Sequence, residues 1–122
     1  MIKFERHNYE SCKGLTIWKS ERYHVEIWYC PKNYVIIPHS HPQENIELMY
    51  LWGSTEFFRR RQESTESFKP KWYHFGRSFS VNAGDVHWFT VSPFRCLIFV
   101  NIAKFLPGFF PKSASIDFLP TT

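Results

Sequence analysis

Long apolar runs are missing from this chain. No segment approaches the roughly 18 uninterrupted apolar residues of a membrane-spanning helix. The N-terminus, Met1-Ile2-Lys3-Phe4-Glu5-Arg6, places charge where a secretion signal would carry its apolar core. We therefore expect no membrane partner and a soluble, cytoplasmic protein. Alanine is scarce, and eight prolines are set against five glycines, a balance that disfavours long helices. Cysteine is confined to Cys12, Cys30 and Cys96, an odd number without CxxC spacing, which indicates neither a disulfide framework nor a thiolate zinc knuckle. These read as ordinary thiols, with Cys30 and Cys96 packed against the core. Charge of one sign accumulates only at Arg59-Arg60-Arg61, and Gln62-Glu63 follows at once. The net charge of +4 is otherwise scattered, and a solvated strand end accounts for the arginine run, so no nucleic-acid partner is expected. Internal repeats and low-complexity segments are also absent. At 122 residues, the chain is long enough for one domain with a real core.

What the chain has in quantity is aromatic side chains, 20% of all residues with Phe alone at 13, a composition suited to strands. Strands are predicted over residues 2–9, 15–19, 23–29, 34–37, 46–52, 54–61, 72–75, 78–81, 86–91 and 95–102. Turns are predicted at Cys12-Lys13-Gly14, Cys30-Pro31-Lys32-Asn33 and Asn82-Ala83-Gly84-Asp85. Residues 62–71 read as an exposed connection. About ten short strands at such spacings predict an all-β sandwich or barrel.

Residues 33–53 stand out. An apolar run ends at Pro38, which can fix a strand edge or a bulge. Next come His39 and His41, whose i, i+2 spacing puts both rings on one face of a strand. Glu44 and Glu47 follow closely. Two imidazoles and a carboxylate leave one position free in a tetrahedral site, or more in an octahedral one. A second signal lies further on, where a glycine-pinned turn at Asn82–Asp85 launches a strand carrying His87. Histidines inside an apolar barrel need partners for their ring nitrogens, and three of them with a carboxylate are hard to explain without a cation.

The two segments together resemble the paired motifs of the cupins. The first cupin motif is a glycine, five residues, His-x-His, three or four residues, a glutamate, six residues and a glycine. Here it is matched by His39, His41 and Gly53, with Asn33 in place of the opening glycine. The second is matched by Gly76, Gly84 and His87, with Asn82 in place of its proline and Val91 in place of its final asparagine. The glutamate falls between two residues. Glu47 lies in the predicted strand, and Glu-Leu-Met-Tyr-Leu is similar to the family's Glu-x-x-Tyr-Val, so Glu47 is favoured and Glu44 is the alternative.

The resemblance implies a single-domain, all-β, cupin-type barrel, a jelly-roll-like double-stranded β-helix. It also implies a divalent transition metal (Fe, Zn, Ni or Mn) held by His39, His41, Glu47 and His87. Without either carboxylate, the three histidines still make a Zn²⁺ or Fe²⁺ site. His7, His24 and His74 match no motif and read as structural or exposed. Cupins include dioxygenases, isomerases, epimerases, lyases and non-catalytic sensors. The expected function is a metal-dependent enzyme of isomerase, lyase or dioxygenase type acting on a small, oxygen-bearing molecule. The alternatives are a sugar- or small-molecule-binding module and a structural oligomerisation barrel. No catalytic base can be named from sequence. Residues 1–102 are expected to form the barrel. Residues 103–122, apolar but broken by Pro107 and Pro111, are expected to form an extended arm on the barrel or across a homodimer partner.

Overall fold

The structure, a computed structural model, describes residues 2–107. Its ten strands are β1 (Ile2–Tyr9), β2 (Cys12–Lys19), β3 (Tyr23–Cys30), β4 (Val35–Ser40), β5 (Glu44–Gly53), β6 (Thr55–Arg61), β7 (Ser64–Phe68), β8 (Ser78–Val81), β9 (Val86–Val91) and β10 (Leu97–Phe105). They form two sheets with antiparallel neighbours, β1-β2-β3-β10-β5-β8 and β4-β9-β6-β7. The all-β expectation holds. Among the described residues no helix is long and apolar enough to cross a membrane.

The two inner faces close on an aromatic core. The rings of Phe57, Phe89 and Phe99 meet pairwise in edge-to-face contacts, with centroids 5.5–6.0 Å apart. Trp28, Ile36, Ile46, Leu48, Tyr50 and Leu97 complete the packing, all essentially inaccessible to solvent. Alternation along β5 decides what enters: Glu44, Ile46, Leu48 and Tyr50 face inward, and the residues between them are half-buried on the other face.

Four local expectations need correction. The turn expected at Cys12–Gly14 lies instead at Glu10-Ser11, with Glu10 at φ 53°, and β2 begins at Cys12. Gly14 is a strand residue because the Trp28 indole lies on it: an added Cβ would come within 2.6 Å of that ring. This earlier start buries Cys12 beside Cys30, Sγ to Sγ 3.1 Å, while Cys96 is only half-buried. The polar connection at 62–71 contains β7, which pairs back on β6 through the hairpin Gln62-Glu63, with Gln62 at φ 58°. It reads as a loop because both faces of this edge strand are largely solvated. Residues 72–75 are not a strand. Trp72–His74 form a 3₁₀ turn after Pro70, which has no N–H to give a ladder. At the other end, β10 continues to Phe105, three residues into the segment expected as an arm, and the rest of that segment from residue 108 lies outside the described residues.

The inner face of β3 carries His24, Glu26, Trp28 and Cys30, so the barrel interior is partly polar. The Trp28 indole N–H donates to Glu26 at 3.2 Å, and the Thr16 hydroxyl donates to the same carboxylate at 3.5 Å. His24 is fully buried, its ring edge-on to Phe105 at 5.3 Å. Burial, and secondarily Lys19, hold its pKa down at about 4. The folded state therefore keeps His24 neutral below pH 6.5, where the unfolded chain takes up a proton. Stability from this residue is fully present above the unfolded pKa and is lost as pH falls toward about 4. We expect the acid-induced loss between pH 7 and pH 4.5, measured by urea unfolding, to be smaller in His24→Leu than in the parent by roughly 2 kcal/mol. Parallel pH profiles would refute the assignment.

Candidate metal centre

A regular strand with Ile36 facing inward would also point Pro38 and Ser40 inward. β4 does not stay regular. It pairs with β9 as Ile36 with Phe89 and then His39 with His87, so three residues are spent on β4 against two on β9. This β-bulge shifts the parity, exposes Ile37 and Pro38, and turns His39 and then His41 into the barrel. Pro38 suits the bulge because the position needs no ladder hydrogen bond.

His87 arrives from the opposite direction. The turn before it has Gly84 at φ +88°, a region open to glycine at little cost. Gly84 N–H donates to the His41 carbonyl at 3.1 Å, tying the two histidine segments together. Asn45 Oδ1 accepts the Ala83 N–H at 2.8 Å. The Asp85 carboxylate accepts the Asn82 N–H at 3.0 Å and a two-pronged contact from Arg61, with Nη2 at 2.8 Å and Nε at 3.0 Å. Burial alone would raise the Asp85 pKa, but Arg61 and the Asn82 N–H outweigh it and the carboxyl titrates below its usual range.

Together these elements bring the three histidines to one point. The His39 and His87 rings are 4.2 Å apart between centroids, His39 and His41 5.0 Å, and His41 and His87 5.3 Å. Each offers one ring nitrogen, and these nitrogens lie within 4.8 Å of one another. All three residues are buried. Desolvation is the main cause that lowers each pKa: His41 to about 3, His87 well below its usual value with His39 and His41 contributing, and His39 also downward, with backbone hydrogen bonds at Ile37 and Asp85 opposing the shift in His39 and His87. The rings are therefore neutral. His39 Nδ1 lies 2.8 Å from the Ile37 carbonyl. A carbonyl can only accept, so Nδ1 carries the proton and Nε2 the lone pair. Among the described residues, that Nε2 is buried without a hydrogen-bond partner, as are His41 Nε2 and His87 Nδ1. Three neutral imidazoles with unsatisfied nitrogens are what a transition-metal cation requires of its ligands.

The carboxylates fall differently from the sequence expectation. Glu47 is not in the cluster: it sits on the other face of β5, where its Oε1 accepts the Ser80 hydroxyl at 2.8 Å. Glu44 faces inward, is buried, and brings Oε1 to 3.2 Å from His41 Nδ1. It is therefore placed behind His41, on the side away from Nε2, and among the described residues the cluster within 4.8 Å is histidine only. The signal that could have found Glu44 is its i+3 spacing from His41, combined with a strand starting at Glu44 rather than Ile46. Of the remaining histidines, His24 is buried in the barrel and His7 contacts Thr16 Oγ1 at 2.7 Å. His74 accepts the Lys71 N–H at its Nδ1, 2.8 Å away.

The Asp85 brace is testable by itself. We expect Asp85→Ala to lose about 2 kcal/mol of stability by urea unfolding, the range for charge-assisted hydrogen bonds. A loss below about 0.5 kcal/mol would mean that the turn stands without it.

No protein-family model matches the sequence, and no curated protein sequence is similar to it. Solved structures are similar in fold. KdgF from Halomonas sp. has a TM-score of 0.66 at 11% identity, over 85% of this chain and 88% of that one. An uncharacterised double-stranded β-helix protein from Klebsiella pneumoniae gives 0.64 at 18%, over 87% of each chain. The Cnp3 cupin domain of Schizosaccharomyces pombe gives 0.68 at 13%, over 82% of this chain and 65% of that one. With its two antiparallel sheets closed around a histidine cluster, the chain has the cupin fold.

Proposed function

We propose that this cupin binds a divalent transition metal through His39, His41 and His87 and acts as a metal-dependent enzyme on a small, oxygen-bearing molecule. The reading rests on one observation: three buried histidines each offer a ring nitrogen within 4.8 Å of the other two, and among the described residues each ring has a buried nitrogen without a hydrogen-bond partner. Histidines kept only for structure are ordinarily hydrogen-bonded instead.

A cation held by three imidazoles keeps coordination positions open, and when bound it supplies Lewis-acid chemistry at a carbonyl or carboxylate. The chain's own groups prepare that site. The Ile37 carbonyl fixes the tautomer of His39. Glu44 stands against His41 Nδ1, where a carboxylate raises the basicity of a ligating ring and holds its orientation. Desolvation lowers the pKa of all three rings, so at neutral pH they are unprotonated and acid competes with a metal less than it would at exposed histidines. Iron would direct the site toward oxygen chemistry, and zinc or nickel toward isomerisation or lyase work.

Metal analysis of purified protein tests the proposal. The parent is expected to carry about one transition-metal ion per chain, and His41→Ala and His87→Ala to lose most of it. Glu44→Gln should retain the site with affinity weakened roughly 10- to 100-fold. Glu47→Gln should match the parent. Equal metal content in the parent and both histidine variants would defeat the reading, and a loss in Glu47→Gln as large as that in His87→Ala would return that carboxylate to the site.

A further inference from the structure

At the end of β5 remote from Glu44, two grooves of about 420 and 520 Å³ adjoin along Trp52, Phe94 and Arg95. Aromatic faces line them in unusual exposure for such large side chains: Phe94 at 83%, Trp72 at 78%, Trp52 at 48% and Tyr29 at 42%. Among the described residues, the charged ones of the lining are Lys32, Lys69, Lys71 and Arg95, and none of them is a carboxylate. Arg95 already stands over the Trp52 ring, 5.9 Å from its centroid.

These side chains are displayed on a fixed backbone. Between Pro70 and Gly76, His74 N–H donates to the Lys71 carbonyl at 2.8 Å, and Lys71 N–H donates to His74 Nδ1 at the same distance. Gly76 N–H and the Tyr50 carbonyl, 2.8 Å apart, and Tyr50 N–H and the Arg77 carbonyl, 2.9 Å apart, pin the turn to β5. Trp72, carried on this braced turn, is held exposed to solvent and is available for stacking.

We propose that this aromatic and basic groove binds single-stranded nucleic acid, with bases stacked on Trp72 and Phe94 and phosphates met by Lys69, Lys71, Lys32 and Arg95. Stacking platforms combined with cations and no acid form the recognition chemistry of unpaired strands. A second copy of the chain fits poorly, because a twofold contact would set these cations against their own images. A sugar chain needs amide and carboxylate groups for its hydroxyls, and among the described lining residues Asn33 alone provides one. A lipid surface would meet the same cations only through anionic headgroups, and vesicles carrying them are one arm of the test. The site lies apart from the histidine cluster and does not depend on the metal reading. It runs against the expectation, drawn from scattered charge, of no nucleic-acid partner: the cations come from three separate segments and meet only in the fold.

The test is fluorescence anisotropy of fluorescein-labelled dT15 and U15 with the full chain. Saturable binding is expected at 50 mM NaCl, weakening about 20-fold at 200 mM if three phosphates are neutralised. Trp72→Ala with Phe94→Ala should weaken it at least fivefold. Lys69→Gln with Lys71→Gln should weaken it and flatten the salt dependence. Lys13→Gln with Lys104→Gln removes the same charge elsewhere and should change it less than twofold. Metal content should be equal in all four proteins, separating this site from the histidine centre. Absence of saturable binding, or equal losses from the two lysine pairs, would overturn the proposal. So would phosphatidylserine vesicles binding through Trp72 and Phe94 in place of the oligonucleotides.

Discussion

A strand sends successive side chains to opposite faces, so two histidines can enter a barrel only if the parity of their strand is right. In β4 it becomes right by one extra residue between Ile36 and His39. Remove that residue and the same strand presents its histidines to solvent. The extra residue also brings the Ile37 carbonyl to His39 Nδ1, so a single irregularity both aims the ring and sets its tautomer. The rest of the site then adjusts to β4: the Gly84 turn docks on the His41 carbonyl, and His39 and His87 come to face each other across the ladder.

Much of this was legible from the order of residues. The i, i+2 histidines, the glycine-pinned turn and the alternation after His87 each carry a local signature, and the sheet delivers all three rings where those signatures place them. Glu47 was misassigned because the likeness of Glu-Leu-Met-Tyr-Leu to a family pattern was set above alternation: with Ile46, Leu48 and Tyr50 inward, Glu47 faces out wherever the strand begins. Glu44 was hidden for a different reason, since β5 starts two residues earlier than its apolar run implies and so takes Glu44 onto the inner face. The turn before β2 was hidden by a glycine. Gly14 looks like a turn residue, but its lack of a side chain is used to admit the Trp28 ring. A glycine in sequence does not say whether it serves φ or space.

The interior is less apolar than the composition suggests. β3 turns His24, Glu26 and Trp28 inward, while Val25 and Ile27 lie on the outer face of the larger sheet. This inversion is affordable because the inward polar groups are engaged, Glu26 by Trp28 and Thr16. A reading by hydrophobicity would have chosen the opposite face, and only the pairing with β10, which sets Glu26 against Asn101, fixes the choice.

The position of Glu44 bears on what kind of centre this is. A carboxylate that ligates a metal and one that supports a ligating imidazole differ in which edge of the ring they meet. Glu44 meets His41 at Nδ1, leaving Nε2 turned the other way without a partner. Were Glu44 to swing onto the cation, the supporting contact at Nδ1 would be lost, and one charged ligand would be gained at the cost of a less firmly oriented neutral one. A centre of three neutral ligands would leave the full charge of a bound cation available to whatever took the open positions, and so would favour an anionic or strongly polarised oxygen there. On the proposed reading, the direction in which Glu44 points would then set the electrostatic character of the site as much as the histidines.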